Sequence, residues 1–430
     1  MSTSFSGIGS PETASTMLAL AMQDRLGLQA PPLPRYYHSI EWSVPAQEEL
    51  KIHPASVHGD HCIFGDIKQF FIDDLQPHIN AIVSQCPQRA HSLLGKTVKD
   101  GLAMQTRGYC IRHQKVCTMR PAIKEIAGTS CVDWSSIGKI EQSAGKTMVY
   151  LLAWYGLRIH FQEPIIVQEN VRSFPIELHS EFLGLYYFID AYTFNASDFG
   201  IPVNRLRQWV VLRHKAKTMS QIGPLSNFVK RFQRICNITW RDLLIAEDEE
   251  ILSELHWAIK RKKSCASIAG LGPEDLNPQE WRSFWMALTD VEQRFLASYE
   301  CIDSEAAAQL NQNPKSGFVM MSKGKELHTI IKNNGIIWTG GRWLTPIELM
   351  LTQGFDVLSS TRMAEPNDAD ATATCSFAIP RQTRRRNDVK AQVGNGMSVP
   401  CAAVMHMFIG LGIHRADGNR GDSSITAEVG

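Results

Sequence analysis

This chain of 430 residues has no excess charge, no long apolar run and no patterned set of cysteines. Its 44 Lys and Arg residues meet 43 Asp and Glu, leaving a formal charge of +1. So balanced a chain is no general polyanion binder, and any hold on phosphate must come from local patches. No apolar stretch is long enough to cross a membrane, and no charged-then-apolar leader opens the chain. An intracellular location is therefore expected, nuclear in a eukaryote. There is no internal repeat. The ten cysteines follow no repeating interval, which points to free thiols in a reducing compartment rather than a disulfide framework. Cys110 and Cys117 flank His113, but that spacing matches no common zinc pattern and no second pair lies nearby along the chain. No metal is expected from it.

What is present is an ordinary globular composition, 44% apolar and 20% charged, long enough for one large domain or two ordinary ones. Up to about residue 215, short apolar runs alternate with helical patterns, as in a parallel α/β sheet. Ile165-Ile166-Val167 and Trp209-Val210-Val211-Leu212 read as buried strands, Met17 to Leu26 as a helix, and Val149 to Leu157 as a buried helix or strand. Residues 216–338 change character, with many Lys, Arg and Trp, an acidic run at Glu247 to Glu250, and a helical stretch from Glu280 to Tyr299. They read as a second, smaller domain. Residues 339–414 lead back to the first, through a polar loop at 357–390 and a closing helix from Val399 to Phe408. The tail, 415–430, is rich in Gly, Asp and Ser and is expected to be disordered.

Near the start, Phe5-Ser6-Gly7-Ile8-Gly9-Ser10-Pro11-Glu12 forms a glycine turn opening a helix, with Ser10 as the expected cap and Pro11 in the first turn. Glycines let the backbone approach a ligand, and a helix N-terminus favours an anionic end. Glu41, ending a short extended run, can accept both hydroxyls of a ribose, and Trp42 can lie against an adenine. Asp66, followed by Ile67, can accept from an exocyclic amine. In a doubly wound sheet these spots converge at the carboxyl ends of adjacent strands and suit an adenosyl cofactor. Taken singly, Glu41 and Asp66 also read as solvated loop carboxylates. Only Met1 to Ser4 precede the loop, so either the first strand is very short or part of the natural N-terminus is missing.

Three further segments follow in order: Ser130-Cys131-Val132-Asp133-Trp134-Ser135-Ser136-Ile137-Gly138, then Glu169-Asn170-Val171, then Gly200-Ile201-Pro202-Val203-Asn204-Arg205-Leu206-Arg207. Together they resemble the catalytic motifs of the cytosine-5 DNA methyltransferases. Arg342-Trp343-Leu344-Thr345 with Glu348 and Gln353-Gly354-Phe355 resembles the family's ninth motif, and Gln392-Val393-Gly394-Asn395 its tenth. The ordered set spans most of the chain except residues 216–338.

The resemblance implies a Rossmann-like class I methyltransferase domain with a smaller target-recognition domain at 216–338 and DNA in the cleft between them. It implies S-adenosylmethionine as methyl donor, S-adenosylhomocysteine as product, and Phe5, Ser6, Gly7, Ile8, Gly9, Glu41, Trp42, Asp66, Ile67 and Asn395 as the cofactor's contacts. The chemistry fits the residue types. C5 of cytosine is a poor nucleophile until a thiolate adds at C6, the role implied for Cys131. A carboxyl sharing a proton at N3 is implied for Glu169, and a guanidinium at O2 for Arg207. Arg205 would brace the site and Asn170 would shape its turn. The base has to be flipped out of duplex DNA, with Ser135 and Ser136 beside it. Lys260, Arg261, Lys262 and Lys263 could track phosphates, as could Lys215, Lys217, Lys230, Arg231, Arg234 and Arg241, and a second cluster at Arg381, Arg384, Arg385 and Arg386. Each of these also reads as part of a solvated basic face.

Three positions depart from the family: Ser130 stands for a proline, Val132 for a glutamine and Val203 for a glutamine. They bear on rate more than on reaction type. Two other readings stay open, an RNA cytosine-5 methyltransferase on the same core and a weakly catalytic regulatory paralogue. Targeting can rest on DNA alone or on a protein partner, and the oligomeric state is not legible.

Overall fold

The structure, a computed structural model, describes residues 1–26, 35–53, 61–135, 140–262, 277–316, 319–331, 335–357 and 386–416. The chain packs into two compact units. The first comprises Met1–Phe194, Leu206–Gln233 and Val399–Gly430, the second Asn195–Arg205 and Arg234–Ser398. The residues just after 215 thus stay with the first unit, whereas the change in composition begins at 216.

The first unit is built on nine strands: β1 (Ser2–Ser4), β2 (His38–Ile40), β3 (Cys62–Phe64), β4 (Arg107–Cys110), β5 (Lys115–Thr118), β6 (Lys124–Gly128), β7 (Ile165–Val171), β8 (Tyr187–Phe194) and β9 (Arg207–His214). They form one sheet of order β5-β4-β3-β2-β1-β6-β7-β9-β8. The five strands from β3 through β2, β1 and β6 to β7 run parallel. Hairpins flank them on both sides, so the sheet is mixed rather than wholly parallel. Helices α1 (Ser10–Leu26), α2 (Val44–Ile52), α3 (Gln76–Gln85), α4 (Ala90–Lys99), α5 (Met148–Phe161), α6 (Glu177–Leu183) and α7 (Leu225–Lys230) belong to the same unit, and a short strand, β10 (Thr218–Ser220), follows β9.

Central β1 is very short, and its three residues carry hydroxyls rather than apolar side chains, yet all are fully buried. The pleat sends Ser2 and Ser4 to one face, where both donate to the buried carboxylate of Glu125. Thr3, on the other face, donates to Glu12 at 2.5 Å and pairs with the Ser39 hydroxyl at 2.8 Å. A polar strand survives at the centre because every hydroxyl has a partner. Glu125 in turn meets Arg158 of α5 at 3.3 Å, and Arg158 meets Glu163 at 2.7 Å, all three fully buried. Burial pushes the Glu163 carboxyl up to about 7 despite that arginine.

The stretch Val149 to Leu157 is helical. It is the body of α5, which packs Leu152, Trp154, Tyr155 and Leu157 into the main core with Phe64, Phe70, Phe182 and Val210. Such an all-round apolar helix carries no period that distinguishes it from a buried strand. Ser10 does not cap α1. Gly9, at φ +78°, accepts Thr13 N–H through its carbonyl, and the Ser10 hydroxyl has no hydrogen-bond partner among the described residues.

Cys62, far away along the chain, joins Cys110, His113 and Cys117 where β3, β4 and β5 meet. The fold thus adds a fourth ligating side chain to the three that stand close in sequence.

The second unit contains α8 (Asp248–Lys262), α9 (Trp281–Ala287), α10 (Asp290–Glu300), α11 (Pro346–Leu351) and α12 (Arg386–Asn395), with a two-stranded ribbon of β11 (Ala308–Gln309) and β12 (Ile337–Trp338). The helical stretch from Glu280 to Tyr299 comprises two helices, because Thr289 and Glu292 form a capping box that starts α10 afresh. Residues 386–390 belong to α12, not to the polar loop expected there. The core of this unit gathers Leu255, Ile259, Phe284, Leu296, Tyr299 and Trp343. Glu348, fully buried, receives both ends of the Arg342 guanidinium at 2.8 and 2.6 Å and the N–H groups of Thr345 and Ala246 at 2.9 Å each. The Arg-Trp-Leu-Thr…Glu pattern is thus a structural staple. The chain returns to the first unit with α13 (Val399–Gly412), whose end leads into β13 (Ile413–Arg415), paired with β10.

Candidate active site

The expected catalytic residues of the first unit converge on neighbouring strands. Gly128, the last residue of β6, is in register with Glu169 on β7, and Cys131 follows three residues beyond it. Arg207 opens β9, opposite Val171 of β7. From there its Nε lies 3.1 Å from Glu169 Oε1, with Glu169 buried and Arg207 partly so. A second nitrogen of Arg207 donates to the Leu206 carbonyl at 2.9 Å, which holds the guanidinium in place.

Thr129, two residues before Cys131, is the anchor of the cysteine loop. Its Oγ1 accepts from Gln168 Nε2 at 2.5 Å and from Asn170 Nδ2 at 2.8 Å, and Asn170 also reaches the Thr129 carbonyl at 3.1 Å. The two donors flank Glu169 on the same strand. Asn170 Oδ1 accepts Val171 N–H at 2.8 Å, so the amide is engaged at both ends. Beyond Cys131 the loop is pinned again. Buried Asp133 accepts the N–H and hydroxyl of Thr147 at 2.7 and 2.6 Å, at the start of α5. Trp134 is buried edge-on against Phe174 at 5.2 Å, and its carbonyl accepts from Ser173 at 2.6 Å. Cys131 is only partly buried, as is Ser135, while Ser130 and Val132 are exposed. Ser135 closes the turn, its N–H bonded to the Cys131 carbonyl at 2.8 Å. Ser136 lies outside the described residues.

The glycine loop is built as a cradle. Phe5, Gly7 and Gly9 all have positive φ, at 56°, 61° and 78°. A Cβ on Gly9 would come 3.3 Å from the His53 ring. Glu41 is buried, and its carboxylate accepts Gly7 N–H at 3.1 Å and Ser43 N–H at 2.9 Å. Trp42 is 69% exposed and offers an open ring face. Asp66 is exposed, caps the turn at Ile67 by accepting Lys68 N–H at 2.9 Å, and lies 3.2 Å from the Lys68 ammonium. Ile67 and Ile8 are buried, and Ser6 donates to Glu12 at 3.2 Å.

Two polar atoms beside this loop have no hydrogen-bond partner among the described residues, Ser10 Oγ and Glu12 Oε2, although both side chains are buried. Burial pushes the Glu12 carboxyl up to about 7, with the Thr3 hydrogen bond opposing. Orphaned polar atoms beside a positive-φ glycine turn, with the Glu41 carboxylate bonded to that turn, fit a polar adenosyl ligand. Neither Glu12 nor Thr129 stood out in the sequence, since each is one polar residue among small ones, Glu12 in the first turn of α1 and Thr129 after β6.

Other candidates have different employment. Arg205 belongs to the second unit. Its guanidinium donates to the carbonyls of Ile330 and Gly394 at 3.3 Å each and of Gly396 at 2.7 Å, while its N–H reaches Asn195. It secures the C-terminal end of α12, whose last residue, Asn395, is exposed. Arg261, expected to track phosphate, is partly exposed and has a partner within the chain. It grips Glu292 with two bonds, at 2.9 and 2.7 Å, and lies 4.9 Å over Trp257. Lys215, Lys217 and Arg241 also spend donors internally, on Gly184, Gln162 and Glu305. Lys230 and Lys260 are exposed. Arg231 and Arg234 also have partners within the chain. The side chains of Lys262 and Arg386, and residues Lys263, Arg381, Arg384 and Arg385, lie outside the described residues.

The parallel strands of order β3-β2-β1-β6-β7, followed by the reversed strand β9 and then β8, with a glycine turn after β1, define a class I methyltransferase fold. Within that class the chain belongs to the C-5 cytosine-specific DNA methylase family, whose pattern matches residues 125–406, more than half of its length. Comparison with curated proteins gives no match. Among solved structures, an S. pombe Dnmt2 methyltransferase is 11% identical, with a TM-score of 0.49 and coverage of 95% of this chain and 97% of that one. A provisionally assigned DNA modification methyltransferase from an E. coli prophage is 14% identical, with a TM-score of 0.44 and coverage of 95% and 99%.

Proposed function

We propose that this protein methylates C5 of cytosine in DNA, with Cys131 as nucleophile and S-adenosylmethionine as donor. The observation that carries the reading is the Glu169–Arg207 pair at 3.1 Å on adjacent strands, with the Cys131 loop tied by Thr129 to both residues flanking Glu169. DNA is the substrate that the matched family's description names, which supports that choice.

In this reading the Cys131 thiolate adds to C6 of a flipped cytosine, forming the S–C6 bond and pushing electron density to C5. Glu169 holds a proton at N3, where the ring gathers negative charge, and Arg207 steadies both Glu169 and the ring oxygen. The bound donor supplies an electrophilic methyl group for C5. A water then takes the C5 proton, and the electrons of that C–H bond restore the double bond as the S–C6 bond breaks. Gly7, Gly9 and Glu41 would hold the donor, with Trp42 on its adenine and Asp66 on the exocyclic amine.

The test is transfer of tritium from labelled S-adenosylmethionine to duplex DNA and, in parallel, to tRNA. Label on DNA that falls at least about a thousandfold in Cys131→Ala is expected, since the covalent route closes with the thiol. Label on tRNA alone would replace the DNA reading with an RNA one, and label on neither would point to a regulatory protein.

A further inference from the structure

The best-formed cluster of ligating side chains away from the candidate active site joins Cys62, Cys110, His113 and Cys117. Each offers one ligand atom, and all four atoms lie within 4.8 Å of one another. His113 Nδ1 is 3.6 Å from Cys62 Sγ, 3.4 Å from Cys110 Sγ and 3.5 Å from Cys117 Sγ. A ring nitrogen carries at most one proton, so hydrogen bonding satisfies at most one of these three contacts. A central cation satisfies all of them. With bonds of about 2.3 Å to sulfur and about 2.0–2.1 Å to nitrogen, the N···S edge of a zinc tetrahedron is about 3.5 Å, the distance found three times here.

Surrounding groups point the same way. The N–H groups of Ile63 and His113 are 3.4 and 3.5 Å from Cys110 Sγ, an arrangement that supports a sulfur carrying negative charge. The ligands come from three strands and a turn: Cys62 begins β3, Cys110 ends β4, Cys117 lies in β5 and His113 in the connection between the last two. The hairpin needs such a tie. None of the four β5 residues is buried, and Tyr109 and Val116 are more than half exposed. An edge hairpin with so little apolar burial is marginal unless something else holds it.

We propose that Cys62, Cys110, His113 and Cys117 bind one zinc ion that fastens the β4–β5 hairpin to β3. Three sulfurs and one imidazole nitrogen make a soft donor set suited to zinc. All four positions are filled by the protein, so the ion has no place for substrate and acts structurally. Binding turns the three thiols into thiolates and releases their protons to solvent. The tie also bears on the strand end that carries Asp66. Ile111, in the hairpin connection, donates to the Ile63 carbonyl at 2.7 Å, and its Cδ1 lies 3.2 Å from where a Gly65 Cβ would stand.

Metal analysis of the full chain, purified without chelators from zinc-supplemented cells, should find about one zinc per chain. Cobalt exchanged into the same chain should show the intense visible bands of a tetrahedral thiolate site. Cys117→Ser and His113→Ala should lose the zinc, His113→Cys should keep it, and Cys301→Ser, at an exposed thiol elsewhere, should retain all of it. Removing zinc from the unaltered chain should lower its melting temperature by about 5 °C or more. That measurement needs no variant to fold. An unaltered chain with no bound zinc and freely reactive thiols overturns the proposal, as does a Cys62–Cys110 disulfide or zinc that persists in Cys117→Ser and His113→Ala.

Discussion

Thr129 shows how one hydroxyl can govern a reactive group it does not touch. Its Oγ1 is the shared acceptor of Gln168 and Asn170, and Cys131 stands two residues further on. Thr129→Val keeps the shape and removes the acceptor, leaving two buried amides short of a partner at about 1–3 kcal/mol each. The expected result is a lower melting temperature and a methylation kcat reduced at least about tenfold, with Thr129→Ser restoring both. A kcat unchanged in Thr129→Val would show that the loop is placed by other interactions. The sequence made Cys131, Glu169 and Arg207 legible because each is a chemical type in a recognisable order. It hid Thr129, because a threonine announces nothing until the strand beside it is known. It hid the partner of Arg261 for the same reason, since a basic run reads as solvated until Glu292 is seen in the guanidinium's grip.

At the scale of elements, β1 is the unusual piece. A three-residue hydroxyl strand holds the middle of the sheet because Glu125 answers two of its residues and Arg158 answers Glu125. Removing one member of a buried ion pair strands the other, at a cost of roughly 3–5 kcal/mol. Arg158→Met and Glu125→Leu should each destabilise by about that much in urea unfolding, and the double variant should cost less than the sum of the two. Additive losses would mean that the two side chains act independently. The strands with apolar runs, β7 and β9, could be read from their residues. The strand Ser2–Ser4 could be placed only from the glycine turn that follows it, because its partners lie on other strands. The hairpin β4–β5 escaped notice for a related reason, since its fourth ligand is on β3.

Across the whole molecule, buried titratable groups set the response to acid. Burial lowers His38, His53, His179 and His328 from 6.5 to about 3, and His406 also falls well below its usual value. Unfolded, these rings take up protons below 6.5, which the native chain refuses, so their contribution is lost as pH falls through that value. Glu12 and Glu163, raised from 4.5 to about 7 by burial, act oppositely and favour the native state at low pH. The histidines outnumber them. Melting temperature should therefore drop steadily between about pH 6.5 and 4.5, as differential scanning fluorimetry would show. A chain equally stable at pH 5 and 7 would mean that these rings are not buried as neutral groups. The division into two units is also visible only at this scale. Composition marked a change at 216, whereas packing keeps 206–233 with the sheet, because a strand is assigned by its neighbours and not by its charge.

The helix α13 joins the chain's last described stretch to its first. His406 donates to the Pro11 carbonyl at 3.0 Å and accepts from Lys124 at 2.7 Å, so α1 and β6 are both fastened to residues near 406. A ribosome makes α1 long before α13. Until α13 has emerged, the face of α1 that it covers stands open, and the unit bearing the candidate active site cannot close. Nascent chains stalled anywhere before residue 399 should be recognised by chaperones as unfinished.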